Sequence, residues 1–326
     1  MKLQLTAYFA VRCLWEAFCT AKECCFCAAT RDTICLLFLL SLLVEAHADE
    51  LGSRSSVQVR LSQNVVYSST DTDELVCDVR SPLEVTPGKV IPAVLVIHGG
   101  AWSSGSKQMM AGYATQLAQA GTVAVAINYH HAPSFKFPTQ VDDVRQALIW
   151  IHDNAEKYAI DIDRLGIFGY SAGGHLACMI ATMQDEPIDR LVATSNWMKD
   201  DPRWQRIPKV TAVVAGGAPC EFRDLPLNNN GLAFFLGGTR AERLDVYEAA
   251  SPTAFASRGD CAIGFIHGER DFIVPIRSSQ SLYQAQLAQG VRSEFVVVKK
   301  QGHLVTFMHS LTGDALLEYM KRKLPL

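Results

Sequence analysis

From about residue 57 onward, unbroken apolar runs alternate with stretches whose apolar positions recur every three to four residues. The runs predict strands at 57–67, 73–80, 91–98, 122–129, 165–169, 210–216, 261–267 and 293–299. The periodic stretches predict helices at 107–120, 139–156, 173–183, 276–289 and 311–322, and in the second of these Val141, Val144, Ala147, Leu148 and Ile151 keep helical spacing. Ile91-Pro92-Ala93-Val94-Leu95-Val96-Ile97 is apolar throughout. Such a strand needs cover on both faces and belongs inside a parallel sheet. The alternation implies an α/β class domain, doubly wound with right-handed crossovers: a mostly parallel twisted sheet of about eight strands with helices on both faces. No helix separates the first two strands, so the sheet is expected to start antiparallel. Residues 185–208 interrupt the pattern. They are polar, carry Trp197 and Trp204, end at Pro208, and read either as an insertion forming a small cap over the functional face or as an exposed loop without a role. Residues 221–250 are irregular and are expected to hold short helices.

The N-terminal stretch differs in kind. Residues 34–44 read Ile-Cys-Leu-Leu-Phe-Leu-Leu-Ser-Leu-Leu-Val and are followed by Ala46-His47-Ala48. The run is short for a membrane span and suits a signal-peptide core with small residues before the cleavage point. Residues 1–48 are therefore expected to be a signal peptide or N-terminal extension, with export and cleavage near Ala48, leaving a hydrolytic or binding domain over 49–326. The alternative is a retained buried or membrane-anchoring helix. The mature chain is expected to make no stable membrane insertion.

Composition narrows the classes. Of 326 residues, 49% are hydrophobic and 19% charged, the net charge is −3, and no dense Lys/Arg run occurs. That is an ordinary globular balance and argues against a nucleic-acid partner. Six of the ten cysteines (Cys13, Cys19, Cys24, Cys25, Cys27 and Cys35) fall in the N-terminal stretch. The remaining Cys77, Cys178, Cys220 and Cys261 either form disulfides, as an exported domain allows, or serve as small buried hydrophobes. No Cys/His spacing suggests zinc.

Gly169-Tyr170-Ser171-Ala172-Gly173 fits G-x-S-x-G between a predicted strand and a predicted helix. In that context the serine sits on a sharp, strained turn, and the flanking glycines let strand and helix pass closely. The plain alternative is a tight turn with an idle serine. A serine hydroxyl is a weak nucleophile and needs a base, and the base needs a partner to fix its tautomer. In chain order after Ser171, Asp271 lies in the loop after one predicted strand and His303 in the loop after the last, both at strand C-termini, where open α/β sheets place their sites. Glu269 competes as the acid and His309 as the base; His267 at its strand end reads as buried. His98-Gly99-Gly100-Ala101-Trp102 follows another strand. Its backbone N–H groups at Gly100 or Ala101, with that of Ala172, are candidate oxyanion donors. His98 reads as structural. Trp102, Tyr170 and His131 are candidate pocket residues. The adjacent His130 and His131 point in different directions with no carboxylate spacing to complete a metal site; no metal is expected.

These pieces, in order, resemble the α/β-hydrolase esterases of the hormone-sensitive-lipase-like and carbohydrate acetyl/feruloyl esterase (BD-FAE-like) groups. The resemblance is carried by His98 through Trp102 with Gly105-Ser106-Lys107, Asn128-Tyr129, Phe137-Pro138, Gly169 through Ala177, Ser251-Pro252, His267-Gly268 through Asp271, Val274-Pro275 and Gly302-His303. It spans about 73–305. It implies an α/β-hydrolase fold, Ser171 as nucleophile, Asp271 as acid, His303 as base and the 98–101 loop as oxyanion hole. It further implies hydrolysis of short-chain carboxylic esters, small molecules or acetyl and feruloyl groups on polysaccharide, with no cofactor. Three departures concern the pocket mouth: Ala101 replaces a third glycine, Tyr129-His130-His131-Ala132-Pro133 lacks the arginine usual at the second position, and the 185–208 insertion is longer than the resemblance leads one to expect. An arylformamidase, a prolyl-peptidase-like hydrolase and a non-catalytic binding protein on the same scaffold are the alternatives.

Overall fold

A computed structural model describes residues 58–70 and 73–325. The expected signal segment and its cleavage point lie outside the described residues. Eight strands form one sheet: β1 (Val59–Ser69), β2 (Glu74–Pro82), β3 (Ile91–Ile97), β4 (Val123–Ile127), β5 (Ile160–Tyr170), β6 (Ala212–Gly216), β7 (Ile263–Gly268) and β8 (Glu294–Val298). Their order is β1-β2-β4-β3-β5-β6-β7-β8. β2 runs antiparallel to both β1 and β4, and all other pairs are parallel. This is the α/β-hydrolase arrangement expected from the sequence. β5 begins five residues earlier than predicted, because Asp161, Asp163 and Arg164 hide a first half in which Ile160 pairs with Ile91.

The main helices are α1 (Ala111–Gln119, after a 3₁₀ turn at Lys107–Met110), α2 (Thr139–Asp153), α3 (Ala172–Thr182), α4 (Leu244–Ala249), α5 (Ile276–Ala288), α6 (His303–Met308) and α7 (Ser310–Lys323). The strands alternate sides, so β3 feeds two cores. Ala93, Leu95 and Ile97 join the apolar faces of α2, α3 and α5, while Val94 and Val96 join those of α1 and α7. No helix among the described residues is long and apolar enough to cross a membrane.

The segment 185–208, read from the sequence as either a small cap or an exposed loop, is bonded along α2. Gln184 and Val210 exchange two hydrogen bonds at its base. From there it follows α2: Ser195 Oγ and Asn196 N–H donate to Asp142, Arg145 donates to Thr194, and Arg206 reaches Asp153. Its two tryptophans stack with arginines, Trp204 with Arg145 and Trp197 with Arg203. The side-chain hydrogen bonds that leave 185–208 go to the flank of α2, to Ala254 and to Ser257, and none goes to 98–105, Ser171 or His303. Paired charges on α2 hold it along that helix, which it braces. Cys77, Cys178, Cys220 and Cys261 are all free and buried, with the sulfurs of Cys178 and Cys220 3.7 Å apart.

One buried ion pair anchors the loop after β3. Lys107 Nζ donates to Asp78 Oδ1 (2.6 Å) and Asn64 Oδ1 (2.8 Å), and Lys107 N–H donates to Asn128 Oδ1 (2.8 Å). Lys107 and Asp78 are each 2% exposed. Breaking such a pair strands a charge away from water. Lys107→Met is expected to lower the unfolding free energy by about 3 kcal/mol, measured by urea denaturation, and Lys107→Met/Asp78→Leu to recover most of it. A loss below about 1 kcal/mol would mean that the pair behaves like a surface bridge.

Candidate active site

β5 ends at Tyr170 and Ala172 opens α3, so the chain turns within one residue. Ser171 takes φ 55° and ψ −119°, a conformation costly for any residue with a side chain. Strand and helix touch at the two flanking glycines. A Cβ on Gly169 would stand 2.0 Å from the Gly173 carbonyl oxygen, and one on Gly173 would stand 2.2 Å from that of Ile97. Only hydrogen fits at either place. Ser171 N–H donates to the Gly216 carbonyl at 2.7 Å, which ties the turn to the end of β6.

The loop after β3 lies against this turn. A Cβ on Gly99 would be 3.1 Å from Ser171 Cβ and 3.0 Å from the Tyr170 carbonyl. Gly100, Ala101 and Trp102 all have positive φ, at 117°, 51° and 57°. Ala101 therefore occupies, at a steric cost to its Cβ, the left-handed region that glycine adopts freely. Ser103 and Ser104 N–H groups both donate to the Gly100 carbonyl at 3.0 Å and fold the loop back. The N–H groups of Gly100, Ala101 and Ala172 make no backbone hydrogen bond among the described residues.

Trp102, expected in the pocket, is the loop's anchor in the core. It stacks on Phe235 at 4.3 Å and donates Nε1–H to His175 Nδ1 at 3.2 Å. His175 in turn donates to the Ala250 carbonyl (2.8 Å), and burial pulls its pKa down to about 4. His98 is fully buried, donates Nδ1–H to the Gly99 carbonyl (2.6 Å), and is held neutral by burial, its pKa pushed down to about 3. His98 is thus structural, as the sequence suggests.

The acid loop follows β7. Asp271 Oδ1 accepts the N–H groups of Ile273 (3.0 Å) and Val274 (2.8 Å), and Oδ2 accepts His303 Nδ1–H at 2.6 Å. Burial alone would raise the pKa of Asp271. Hydrogen bonds from His267, His303 and Val274 outweigh it and hold the carboxyl well below the ordinary range. His303 opens the short helix α6, where the sequence predicts a loop; the polar run Lys299-Lys300-Gln301-Gly302 conceals its start. With Nδ1–H given to Asp271, the ring presents an unprotonated Nε2. The ring edge lies over Gly217, whose added Cβ would stand 2.8 Å from His303 Cε1. Gly217 follows the residue that holds Ser171 N–H. No hydrogen bond joins Ser171 to His303 in this structure, and such contacts commonly tighten only with substrate bound.

The competitors are occupied elsewhere. Glu269 accepts Lys300 N–H (2.8 Å) and Lys299 Nζ (3.2 Å), and His309 Nδ1 caps α7 by accepting Leu311 N–H. The adjacent histidines diverge. His130 bridges Asp143 (2.9 Å) and Asp73 (2.9 Å), and these carboxylates raise its pKa. His131 packs edge-on against His98 at 5.7 Å, with its Nε2 shielded from solvent. Tyr170, also expected in the pocket, points to the opposite sheet face, because neighbouring strand residues alternate. Its hydroxyl donates to the His303 carbonyl at 2.5 Å, a contact invisible in the sequence. Trp102, Tyr170 and His131 therefore support the site from inside.

The family model described as BD-FAE matches residues 78–286. Esterase LipC of Mycobacterium tuberculosis (strain ATCC 25618 / H37Rv) is 30% identical over 212 residues, which cover 61% of this chain and 49% of LipC. Esterase LipQ of the same organism is 26% identical over 233 residues, covering 69% of this chain and 52% of LipQ. The chain thus spans about half the length of these curated relatives. Among solved structures, a truncated form of a carbohydrate esterase from gut microbiota superposes with a TM-score of 0.71 at 22% identity, over 84% of this chain and 99% of that one. The butyrate-bound Est2 esterase of Thermogutta terrifontis gives 0.65 at 21% identity, over 82% and 94%. At these identities the structural likeness is one of fold.

Proposed function

Because the chain belongs to the BD-FAE family, we propose that it is a serine carboxylesterase in which Ser171, His303 and Asp271 form the triad. The observation that carries this is the strained turn presenting Ser171 beside a histidine whose Nδ1–H is committed to a buried carboxylate at 2.6 Å. Nε2 of His303 takes the Ser171 proton as Oγ attacks the ester carbonyl. The oxyanion that develops meets the N–H of Ala172 and those of Gly100 or Ala101, which need no reorganisation to receive it. The imidazolium then protonates the departing alkoxide. Water, deprotonated by the same nitrogen, attacks the acyl-serine ester and releases the acid and Ser171.

The preferred substrates are short acyl esters, with acetyl or feruloyl groups on polysaccharide as the polymer form. Large apolar side chains stand exposed beside the acid and base: Phe272 (92%), Ile273 (64%) and Val305 (49%). Such a rim suits an uncharged, partly apolar leaving group. Export with cleavage near Ala48 belongs to the same reading, since a polymer substrate lies outside the cell; the N-terminal sequence of the secreted chain tests it.

The substrate reading is tested with p-nitrophenyl esters from acetate to decanoate, alongside acetylated xylan. Activity is expected to be highest on the shortest acyl groups and to fall with length, with acetate released from xylan. A folded chain inert on every ester would overturn the assignment and bring forward a formamide or peptide substrate.

A further inference from the structure

We propose that His267 is a positioning residue that acts through Asp271, sharing its carboxylate with His303 and so setting the charge that the catalytic base meets. This rests on the triad reading above.

His267 lies on β7 four residues before Asp271, and both are enclosed. Its neighbour Ile266 faces the α7 side of the sheet, so the imidazole projects the other way, under α5. Nε2 stands 3.2 Å from Asp271 Oδ2 and 2.9 Å from the Val274 carbonyl. Both neighbours only accept hydrogen bonds, so Nε2 carries the proton; it donates to the Val274 carbonyl and lies close to the carboxylate. Nδ1 is 2.9 Å from Ser279 Oγ on α5, and that oxygen is itself 2.6 Å from the Ala218 carbonyl. The ring is thus fixed from behind by one helix residue and spans two points of the loop that presents Asp271.

Oδ2 consequently has two imidazoles near it: His303 donates to it at 2.6 Å, and His267 Nε2 stands 3.2 Å away with its hydrogen bond going to the Val274 carbonyl. A polarised N–H this close to Oδ2 offsets charge that would otherwise stabilise the His303 imidazolium. Oδ1 has two backbone donors of its own, Ile273 and Val274 N–H, which hold the carboxylate from the side away from His303. The effect of losing His267 is therefore on charge, with a definite sign: His303 holds its proton more tightly.

The other groups around this triangle are accounted for. Tyr170, from β5, spends its hydroxyl on the His303 carbonyl. Within the acid loop, Glu269 pairs with Lys299 and Lys300, while exposed Arg270 donates its N–H to the Gln301 carbonyl. None of these groups bonds to His267.

The test follows the imidazole resonances of the full chain, labelled with ¹⁵N-histidine, through a pH titration, together with the pH dependence of kcat/KM. In His267→Leu the His303 midpoint and the acid limb of kcat/KM are expected to rise together by about 0.5 to 1 unit. His267→Gln, which returns an N–H donor near the Nε2 position, is expected to restore at least half of that shift. Ser279→Ala frees the ring without touching Asp271 and is expected to move the midpoint the same way by less; it serves if the leucine variant does not fold. An unmoved midpoint in Ser279→Ala and in a folded His267→Leu, or equal shifts in the leucine and glutamine variants, would overturn the proposal. The resonance titration needs no substrate, so it gives its answer even if no ester is hydrolysed.

Discussion

Ser171→Ala is expected to lower kcat/KM on a p-nitrophenyl ester by about 10⁶-fold, with the thermal midpoint nearly unchanged. The side chain is only partly buried, and Oγ makes no hydrogen bond that the fold depends on. Alanine meets the same φ of 55° as serine does, so the backbone strain is common to both proteins. What disappears is the hydroxyl proposed as the nucleophile. The pre-aimed N–H groups of Ala172 and the 98–101 loop remain, and they would sustain only a slow attack by water. Steady-state kinetics and a melting curve on the same preparations separate the two effects. Retention of more than about one per cent of the rate would be far above what oxyanion stabilisation alone sustains.

Asp271→Asn is expected to cost about 10⁴-fold in kcat. An asparagine can turn its amide N–H toward His303 Nδ1. The imidazole then carries its proton on Nε2, where the Ser171 proton has to be received. The same substitution has a consequence for stability. The folded-state pKa of Asp271 is held below its unfolded value, so as the pH falls the unfolded chain binds this proton first. Its contribution is complete above about pH 5 and fades as the pH falls through the carboxylate range toward the depressed folded value. The melting temperature of the native chain relative to Asp271→Asn should therefore narrow between pH 6 and pH 3. A constant difference across that range would show that Asp271 does not titrate with folding.

The parts of this site written as local patterns are legible in the amino-acid sequence. Continuous apolar runs give β3 and β4 their places inside the sheet, and Gly169 and Gly173 mark the strand-to-helix contact, because close approach of backbones leaves a residue signature at fixed spacing. Asp271 and His303 stand out as candidates from chain order and from their place after apolar runs. Contacts between segments distant in sequence leave no such mark. Tyr170 reaches back to the His303 carbonyl across 133 positions, and nothing near residue 170 announces it. Trp102 looks like a pocket aromatic in the sequence, but its left-handed φ turns the indole into the aromatic core beside Phe235 and His175. For segment 185–208 the sequence shows polarity and leaves cap and loop open, because its partners Asp142, Arg145 and Asp153 lie on another helix. Burial of His267 follows from its strand position; its approach to Asp271 requires the curvature of the loop that follows.

The most direct test of the account is covalent. A fluorophosphonate reacts with an activated serine, Oγ displacing fluoride while the neighbouring base accepts the proton. Intact-mass and peptide analysis of the treated full chain is expected to show a single adduct, on Ser171, forming fast in the native protein and far more slowly in Asp271→Asn. An adduct on another residue, or a native chain left unmodified, would contradict the assignment of Ser171 as the nucleophile.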